Sequence, residues 1–380
     1  MLSSKRRFVA MLCIVASSLI SCGRSDSGSK PTPSAENGQE DKVVNLYFWS
    51  DYLAPDTLTS FEKLTGVKVH LSYFDSYETL EARVLAGHSG FDVVLPGNGT
   101  FGREIRSGAY LPLDKTRLPN LVNLDPAIMS MAALGDPGNA YGVVYMWSSL
   151  GIGFNKKLIA ERLPNVPLTS WHLVFDPVFA AKLAPCGINF IDDPVAVVQL
   201  VLKYLGRDPS APSPQDFADV EKVLVKIRPY IRNIDTSGEI NAIANGDICI
   251  SLGYSGDFVQ ANKRAKEANT GIELEYVIPE EGSSVGLDLL AIPKDAPHVT
   301  NAYLLINYLM NPQVVANISN AIGFANANSA ATPLLDAAIA SNTFIYPTRA
   351  QQQRLFTAPE VSGEQSRTIT RIWQRFRTGQ

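Results

Sequence analysis

The sequence contains few residues of the kinds that bind transition metals. Its 380 residues include four histidines and four cysteines, and neither an H-E-x-x-H motif nor a paired Cys/His spacing occurs among them. Zinc is usually held by side chains in such spacings, so we expect no metal site. The formal net charge of −4 comes without a basic patch, which argues against a nucleic-acid partner.

The N-terminus lacks an apolar run long enough to cross a bilayer, and its pattern is instead typical of an export signal. Three basic residues at positions 5–7 precede an apolar run at positions 8–20. That run is too short for a transmembrane helix but suits a signal peptide. The tetrad L-I-S-C that ends at Cys22 resembles a bacterial lipobox, in which the cysteine is acylated and becomes the first residue. The alternative is an ordinary signal peptide that happens to contain a cysteine.

The sequence divides into a signal, a tether and a body. Residues 1–22 are the predicted lipoprotein signal peptide and lipobox. Residues 23–42 contain no large apolar side chain, so burial cannot offset their ordering entropy and we predict a flexible tether. The remaining chain is long enough for two domains. We predict a first lobe from residues 43–146 and 275–317, and a second lobe from residues 147–274 and 318–380.

The few cysteines limit the possible disulfides. Cys13 lies in the predicted signal peptide and Cys22 is assigned to lipid, which leaves Cys186 and Cys249. Outside the cytoplasm an even pair of cysteines usually forms a disulfide. Two buried free thiols are the alternative, and the oxidising compartment favours the bridge.

Strand and helix patterns alternate in the first part of the body. Three runs rich in β-forming residues alternate with two runs at helical spacing, the strands at 43–48, 67–73 and 91–95 and the helices at 55–64 and 76–86. This β-α-β-α-β order predicts an α/β fold with a doubly wound parallel sheet, and the alternation resumes after residue 149. Ligands bind such sheets beyond the carboxyl ends of the strands.

An acidic and aromatic motif follows the first predicted strand. Trp49-Ser50-Asp51-Tyr52 places two aromatic rings and a carboxylate at that strand end. An aromatic face attracts an ammonium group and a carboxylate pairs with it, so the motif is a candidate cation site. A capped turn with a buried tryptophan is the alternative.

A single acid interrupts a later apolar strand. Asp288 lies within the apolar run at residues 285–293, where a charge is costly unless it is paired. An ion pair with an arginine would be purely structural. We favour a cationic ligand as the partner of this carboxylate.

Two motifs known from enzymes occur in imperfect form. Residues 97–102 match G-x-G-x-x-G, but they follow the third strand rather than the first and open only a short helix, which argues against a nucleotide cofactor. Residues 253–257 resemble a nucleophile elbow, but Asp257 replaces its last glycine and no histidine is placed to serve Ser255. We assign no catalytic residue, and an exported enzyme is the less favoured alternative.

Taken together, several segments resemble a known family. FWSDYLAPDT, GFDVVLP, YMWSSLGIGFN, LPNLVNLDP, ANGDICISLGYSGD, NKRAKEA and FANANSAATP are similar to the periplasmic putrescine- and spermidine-binding proteins of polyamine ABC transporters. The resemblance covers residues 43–380. It implies a type II periplasmic-binding-protein fold, in which two α/β lobes are joined by hinge crossovers with a ligand cleft between them. It also supports a bridge between Cys186 and Cys249.

The resemblance implies a set of ligand contacts. The family's contacts fall on Trp49, Ser50, Asp51, Asp257 and Asp288. Tyr254 stands where the family has a tryptophan, and Phe324 stands where it has a tyrosine. We add Tyr52 and Gly97 as candidates because each follows a predicted strand.

Other contact positions depart from the family pattern. Two serines after the third strand correspond to Gly97 and Gly99, a glutamate of the second lobe corresponds to Ala196, and an aromatic wall residue corresponds to Gly286. These changes predict a pocket that is larger and less selective for the four-carbon diamine.

These expectations combine into one functional hypothesis. The mature protein is a lipid-anchored periplasmic monomer that captures a polyamine for the permease subunits of an ABC importer. Asp257 and Asp288 pair with one ammonium group, and Trp49 and Tyr254 flank the methylene chain. A binding protein that passes a different amine or small cation to a sensor is the alternative.

Replacement of Cys22 tests the predicted anchor. We expect the Cys22→Ala protein to leave the membrane fraction, because the acylated sulfur is its attachment. Detergent partitioning of the parent and the variant measures this. Equal partitioning of the two proteins with membranes would contradict the prediction.

Overall fold

A computed structural model describes residues 40–357 and 361–379. The predicted signal peptide, Cys22 and residues 23–39 of the predicted tether lie outside these residues. Glu40, assigned to the tether, accepts hydrogen bonds from the backbone N–H groups of Thr300 at 2.8 Å and Asn301 at 3.2 Å. The body therefore begins by residue 40 rather than at residue 43.

The described chain alternates short strands with helices of mostly seven to sixteen residues. The strands are β1 (Val43–Trp49), β2 (Lys68–Phe74), β3 (Val93–Val94), β4 (Gly142–Asn155), β5 (Ile188–Phe190), β6 (Asn233–Ile234), β7 (Ile250–Tyr254), β8 (Leu274–Val277), β9 (Ser283–Ala291), β10 (Ala325–Asn326) and β11 (Leu355–Thr357). The helices are α1 (Thr57–Thr65), α2 (Tyr77–Leu85), α3 (Asn98–Arg106), α4 (Pro126–Ala132), α5 (Lys156–Arg162), α6 (His172–Phe175), α7 (Pro177–Leu183), α8 (Pro194–Tyr204), α9 (Pro214–Ile227), α10 (Glu239–Asn245), α11 (Ser255–Glu267), α12 (Val299–Leu309), α13 (Pro312–Ile322), α14 (Ala337–Ala340), α15 (Arg349–Gln352) and α16 (Gly363–Thr378).

The sheet is mixed rather than wholly parallel. Its main path follows the order β2-β1-β3-β9-β4-β7-β5-β6. β1 pairs in parallel with β2 and β3, and β5 pairs in parallel with β6 and β7, but β9 and β4 are antiparallel to each other and to their outer neighbours. The predicted parallel sheet is therefore wrong at β4 and β9. Both strands are almost wholly buried, and an apolar run of that kind does not reveal strand direction.

One long strand runs through both parts of the sheet. The first half of β4, residues 142–149, pairs with β9, and its second half, residues 150–155, pairs with β7 and β8. Every residue of β4 is buried. The strand therefore connects two hydrophobic cores directly, without an intervening loop.

The residues that form each hydrophobic core differ from the lobe bounds that we predicted. Ile318, Phe324 and Ile345 pack into the first core, with β1 to β3 and the first half of β4, although we assigned residues 318–346 to the second lobe. Tyr276 and Ile278 pack with α10 and α11 in a smaller third cluster beside the two large cores, instead of with the first core. The pairing of β10 with β4 explains the first difference, because it holds the chain after α13 against the first core.

The predicted disulfide between Cys186 and Cys249 is confirmed. It joins residues 63 positions apart and lies in the second core, where it connects the segment before β5 to the segment before β7. A loop of that length corresponds to about 4 kcal/mol of stabilisation in the chain-entropy account. Within residues 40–357 and 361–379, no helix has the length and apolar character needed to cross a membrane.

Candidate ligand-binding site

The strand ends and helix starts of both cores meet around one cavity. It contains about 570 Å³ outside the protein atoms, which includes space open to solvent. Seven of the predicted site residues line it: Trp49, Ser50, Tyr52, Tyr254, Asp257, Asp288 and Phe324. None of the described residues around it is a lysine, an arginine or a histidine. The ionisable acids in its lining are Asp257 and Asp288.

Asp288 is held in the cavity wall by hydroxyl groups. It lies within β9 and is 7% exposed. Tyr52 and Tyr77 each donate a hydrogen bond to it through their hydroxyls, at 2.7 Å and 2.6 Å. Burial raises the pKa of Asp288 to about 6, although hydrogen bonds from Tyr77, Tyr52 and Trp49 act in the opposite direction. No basic side chain in the described part of the chain forms an ion pair with it, so the structural arginine partner is not found.

Asp257 lies opposite on the first turn of α11 and is half-buried. No side chain or backbone N–H among the described residues donates a hydrogen bond to its carboxylate. Burial, followed by the negative charge of Asp288, raises the pKa of Asp257 to about 8, while Arg264 lowers it. The cavity therefore contains two acids whose ionised forms are both disfavoured, an arrangement that a cation would stabilise.

Aromatic rings supply most of the remaining wall. Trp49 packs edge-on against Tyr77, with ring centroids 5.2 Å apart, and Tyr52 packs edge-on against Phe324 at 4.8 Å. Tyr254 ends β7 directly before α11. Such rings offer apolar contact to a methylene chain and attract ammonium groups through their faces.

Two residues that we predicted to contact the ligand do not line this cavity. Asp51 does not line the cavity; its carboxylate forms an ion pair with Arg264 at 3.0 Å, and its φ of 55° turns the chain sharply after β1. The pair joins the loop after β1 to α11, and thus connects elements of different cores. Gly97 lines a neighbouring cavity rather than this one.

Several lining residues were not predicted, above all Tyr77. The sequence places it in the helical pattern with Leu80 and Val84, which indicates a core-facing position. In the structure it is the first residue of α2, and the side chain of Ser76 caps that helix. The signal that could have identified Tyr77 is its place just after the carboxyl end of β2. Ser148, Thr236, Ser237, Ile240 and Gln260 also line the cavity without a sequence signal.

The predicted extra room at two glycines is filled by tyrosines. A Cβ at Gly97 would lie 2.7 Å from Cζ of Tyr77, and a Cβ at Gly286 would lie 3.1 Å from Cε1 of Tyr254. The expected enlargement at these positions is therefore wrong. Gly99 does have open space around it.

Comparison with known proteins shows which family the chain matches. Residues 56–344 match the model of the bacterial extracellular solute-binding proteins. The chain is 42% identical over 341 residues to the putrescine-binding periplasmic protein SpuD of Pseudomonas aeruginosa, covering 90% of this chain and 93% of that protein. It is 43% identical over 342 residues to the putrescine-binding periplasmic protein PotF of Escherichia coli, covering 90% and 92%.

Solved structures show the same fold. A structure from Listeria monocytogenes, named for a spermidine/putrescine ABC transporter, matches with a TM-score of 0.79 and 28% identity, covering 89% of this chain and all of that chain. The PotD substrate-binding protein of Streptococcus pneumoniae matches with a TM-score of 0.72 and 23% identity, covering 89% and 99%.

Two α/β cores joined by a shared strand, with an acidic and aromatic cavity where they meet, define a ligand-binding protein of the type II periplasmic fold. The chain belongs to the family of bacterial extracellular solute-binding proteins. Its relatives SpuD and PotF are named as binding proteins rather than as enzymes.

The raised pKa of Asp257 predicts a stability gain when its charge is removed. Its folded pKa of about 8 exceeds the ordinary value near 4, so ionisation costs the ligand-free fold free energy that increases as the pH rises between these values. We expect Asp257→Asn to raise the free energy of unfolding by on the order of 1 kcal/mol at about pH 8. The gain should shrink towards about pH 5.

Denaturant unfolding of ligand-free protein, refolded after removal of any bound molecule, measures this difference. Asp56→Asn is the matched control, because Asp56 is exposed and its side chain caps no helix. A gain that is equal at both pH values, or a loss at the higher one, would contradict the prediction.

Proposed function

We propose that this chain captures a polyamine, such as putrescine or a spermidine-like cation, and delivers it to an ABC importer. The observation that carries the proposal is the pair of desolvated carboxylates, Asp257 and Asp288, in a cavity whose lining, within residues 40–357 and 361–379, contains no basic side chain. An ammonium group between them would favour the ionised form of both acids and would form charge-assisted hydrogen bonds with them.

The aromatic wall suits the rest of such a ligand. Trp49, Tyr52, Tyr77, Tyr254 and Phe324 surround the acids, and their rings would cover the methylene groups between ammonium groups. An anion would be repelled by the two carboxylates, and a neutral sugar would not supply the positive charge that would compensate their desolvation.

The names of the relatives support the same ligand class. SpuD and PotF are named as putrescine-binding proteins, and other relatives, 29% identical, are named as spermidine/putrescine-binding proteins. The similarity covers 83–90% of this chain. Import through permease subunits, with no chemical change to the ligand, is the role we infer.

Closure around the ligand is part of the proposal. We infer two lobes built on the two large cores, with β4, which runs through both, as a connection that bends. Arg264 and Asp51 form an ion pair between elements of different cores, and such a pair would favour the closed form. Closure would exclude water and so strengthen the pairing of the cation with Asp257 and Asp288.

We also propose that the protein acts outside the cytoplasm, tethered through lipid on Cys22. The relatives SpuD and PotF are periplasmic. The sequence from residue 23 to 39 would then span the gap between the membrane and the body. We propose that it acts as a monomer.

Calorimetry with a panel of ligands tests the proposed function. We expect putrescine or spermidine to bind, and neutral sugars not to bind. Asp257→Asn should weaken amine binding by about 2–5 kcal/mol, because it removes one of the two charges that face the ammonium group. Asp56→Asn, which removes a charge from an exposed residue that does not line the cavity, should change binding little.

The result that refutes the proposal is failure of every amine to bind the folded parent protein. Unchanged amine affinity in Asp257→Asn would refute the assigned role of that carboxylate. Each protein's melting temperature serves as the check that it is folded.

A further inference from the structure

The C-terminal helix α16 contacts both large cores. Its buried face, which includes Ile369, Trp373 and Phe376, packs into the second core. Near the start of the helix, the hydroxyl of Ser366 accepts a hydrogen bond at 3.0 Å from Nη1 of Arg103. Arg103 lies on α3, which packs into the first core. This hydrogen bond therefore joins elements of different cores at the protein surface.

The guanidinium group of Arg103 is fixed by the first core. Its Nε and Nη2 atoms donate hydrogen bonds to the two carboxylate oxygens of Glu81 on α2, at 2.8 Å and 2.7 Å. A two-point contact of this kind holds an arginine in one orientation. Nη1 is therefore presented to Ser366 only while the two cores lie together, and separation of the cores would break the contact.

The same helix also reaches the wall of the ligand cavity. Nε1 of Trp373 donates a hydrogen bond to the carboxylate of Asp192 at 2.8 Å, and Arg377 forms an ion pair with that carboxylate at 3.0 Å. The backbone N–H of Asp192 donates to the hydroxyl of Thr236 at 2.9 Å, and Thr236 lines the cavity. One helix thus connects the cavity wall with the contact between the cores.

The outer face of α16 carries a row of arginines. Arg367, Arg371 and Arg375 are exposed and four residues apart, a spacing that places them on one side of the helix. Arg375 lies in the last turn, where the helix dipole favours a cation, and it forms an ion pair with Glu221. The position and the partner of Arg375 therefore explain that residue within the fold.

The fold does not explain the other two arginines in this way. Arg367 and Arg371 lie before the last turn, and neither forms an ion pair with an acid in the part of the chain that the structure describes. Arg371 donates only to the hydroxyl of Thr368, at 3.3 Å. Like charges four residues apart destabilise a helix. Both arginines line a recess that is open to solvent, and Ser366 lines the same recess.

We propose that Arg367 and Arg371, together with Ser366 and Arg103, form a docking surface for an acidic extracytoplasmic loop of the importer's permease subunits. The inference rests on the proposed function, because it names the surface through which the binding protein reaches its importer. Carboxylates of the permease pair with Arg367 and Arg371. Exposed charges of this kind govern partner choice and the rate of association.

The contact between the cores favours a permease over an anionic membrane as the partner. A delivery partner has to distinguish the loaded protein from the empty one, and a surface built from both cores changes when the cores move apart. A lipid surface would attract the arginines of α16 whether or not Arg103 lies beside them. The whole chain has a formal net charge of −4, which an anionic membrane would repel.

Charge reversal on α16 tests the docking surface. The bacterium that produces this chain, with its own gene deleted, is supplied with the parent or with the double variant Arg367→Glu and Arg371→Glu. Uptake of radiolabelled putrescine or spermidine, whichever the parent binds more tightly, is measured at limiting amine. We expect the variant to lower uptake about tenfold or more, because its glutamates would face the partner's acids. Amine affinity in calorimetry should stay within about twofold of the parent.

Lys63→Glu together with Lys157→Glu is the matched control. It reverses the same number of charges at exposed residues of α1 and α5, away from the recess on α16. Uptake with this control should stay within about twofold of the parent. Melting temperatures verify that each protein is folded, and immunoblots verify equal amounts in the cells.

The outcomes separate this inference from the proposed function. If the parent restores uptake and the arginine variant restores it equally, or if the lysine control loses it to the same extent, the docking surface is wrong and the polyamine proposal stands. If the parent restores no uptake, both are wrong. Flotation with phosphatidylglycerol vesicles tests the membrane alternative: vesicle binding that is lost in the arginine variant, with uptake unchanged, would assign the arginines to lipid and overturn the inference. A selective loss of uptake in the arginine variant, with amine binding retained, is the expected result.

Discussion

The chemistry of this protein depends on two desolvated carboxylates that form no ion pair with a basic side chain in the described part of the chain. Asp257 and Asp288 lie in one cavity, and burial raises the pKa of both. Removing a charge from water is costly unless an opposite charge or hydrogen bonds compensate it. Tyr52 and Tyr77 supply hydrogen bonds to Asp288, whereas Asp257 receives none from the described residues. In the proposed function, a bound cation supplies this compensation.

Tyrosines set the shape of the space around these acids. Tyr77 fills the room in front of Gly97, and Tyr254 fills the room in front of Gly286. A glycine that faces a cavity therefore does not by itself imply a larger pocket, because a large residue from a neighbouring element can occupy the same volume. The two tyrosines also place a hydroxyl group beside each of two carboxylates and donate a hydrogen bond to it.

Sequence patterns predicted the helices and strands of the first part of the body and most of the acidic and aromatic residues that line the cavity. They did not predict how the strands pair or which residues contact those acids. The alternation of β1 to β3 with α1 and α2 follows from short-range periodicity, with α1 beginning two residues later than expected because Pro55 and Asp56 form a turn before it. Strand direction at β4 and β9 depends on long-range pairing, which a fully apolar run does not encode. The ion pair that takes Asp51 out of the cavity likewise depends on Arg264, more than 200 residues away.

Proton release on binding tests the central claim most directly. At about pH 7 the free protein should carry a proton on Asp257, whose pKa is about 8, and an ammonium group beside it should lower that pKa and expel the proton. Calorimetry of putrescine binding in two buffers of different ionisation enthalpy gives the number of protons released. The account predicts a release approaching one proton per ligand, abolished in Asp257→Asn. Binding heats that do not depend on the buffer, or proton uptake, would contradict it.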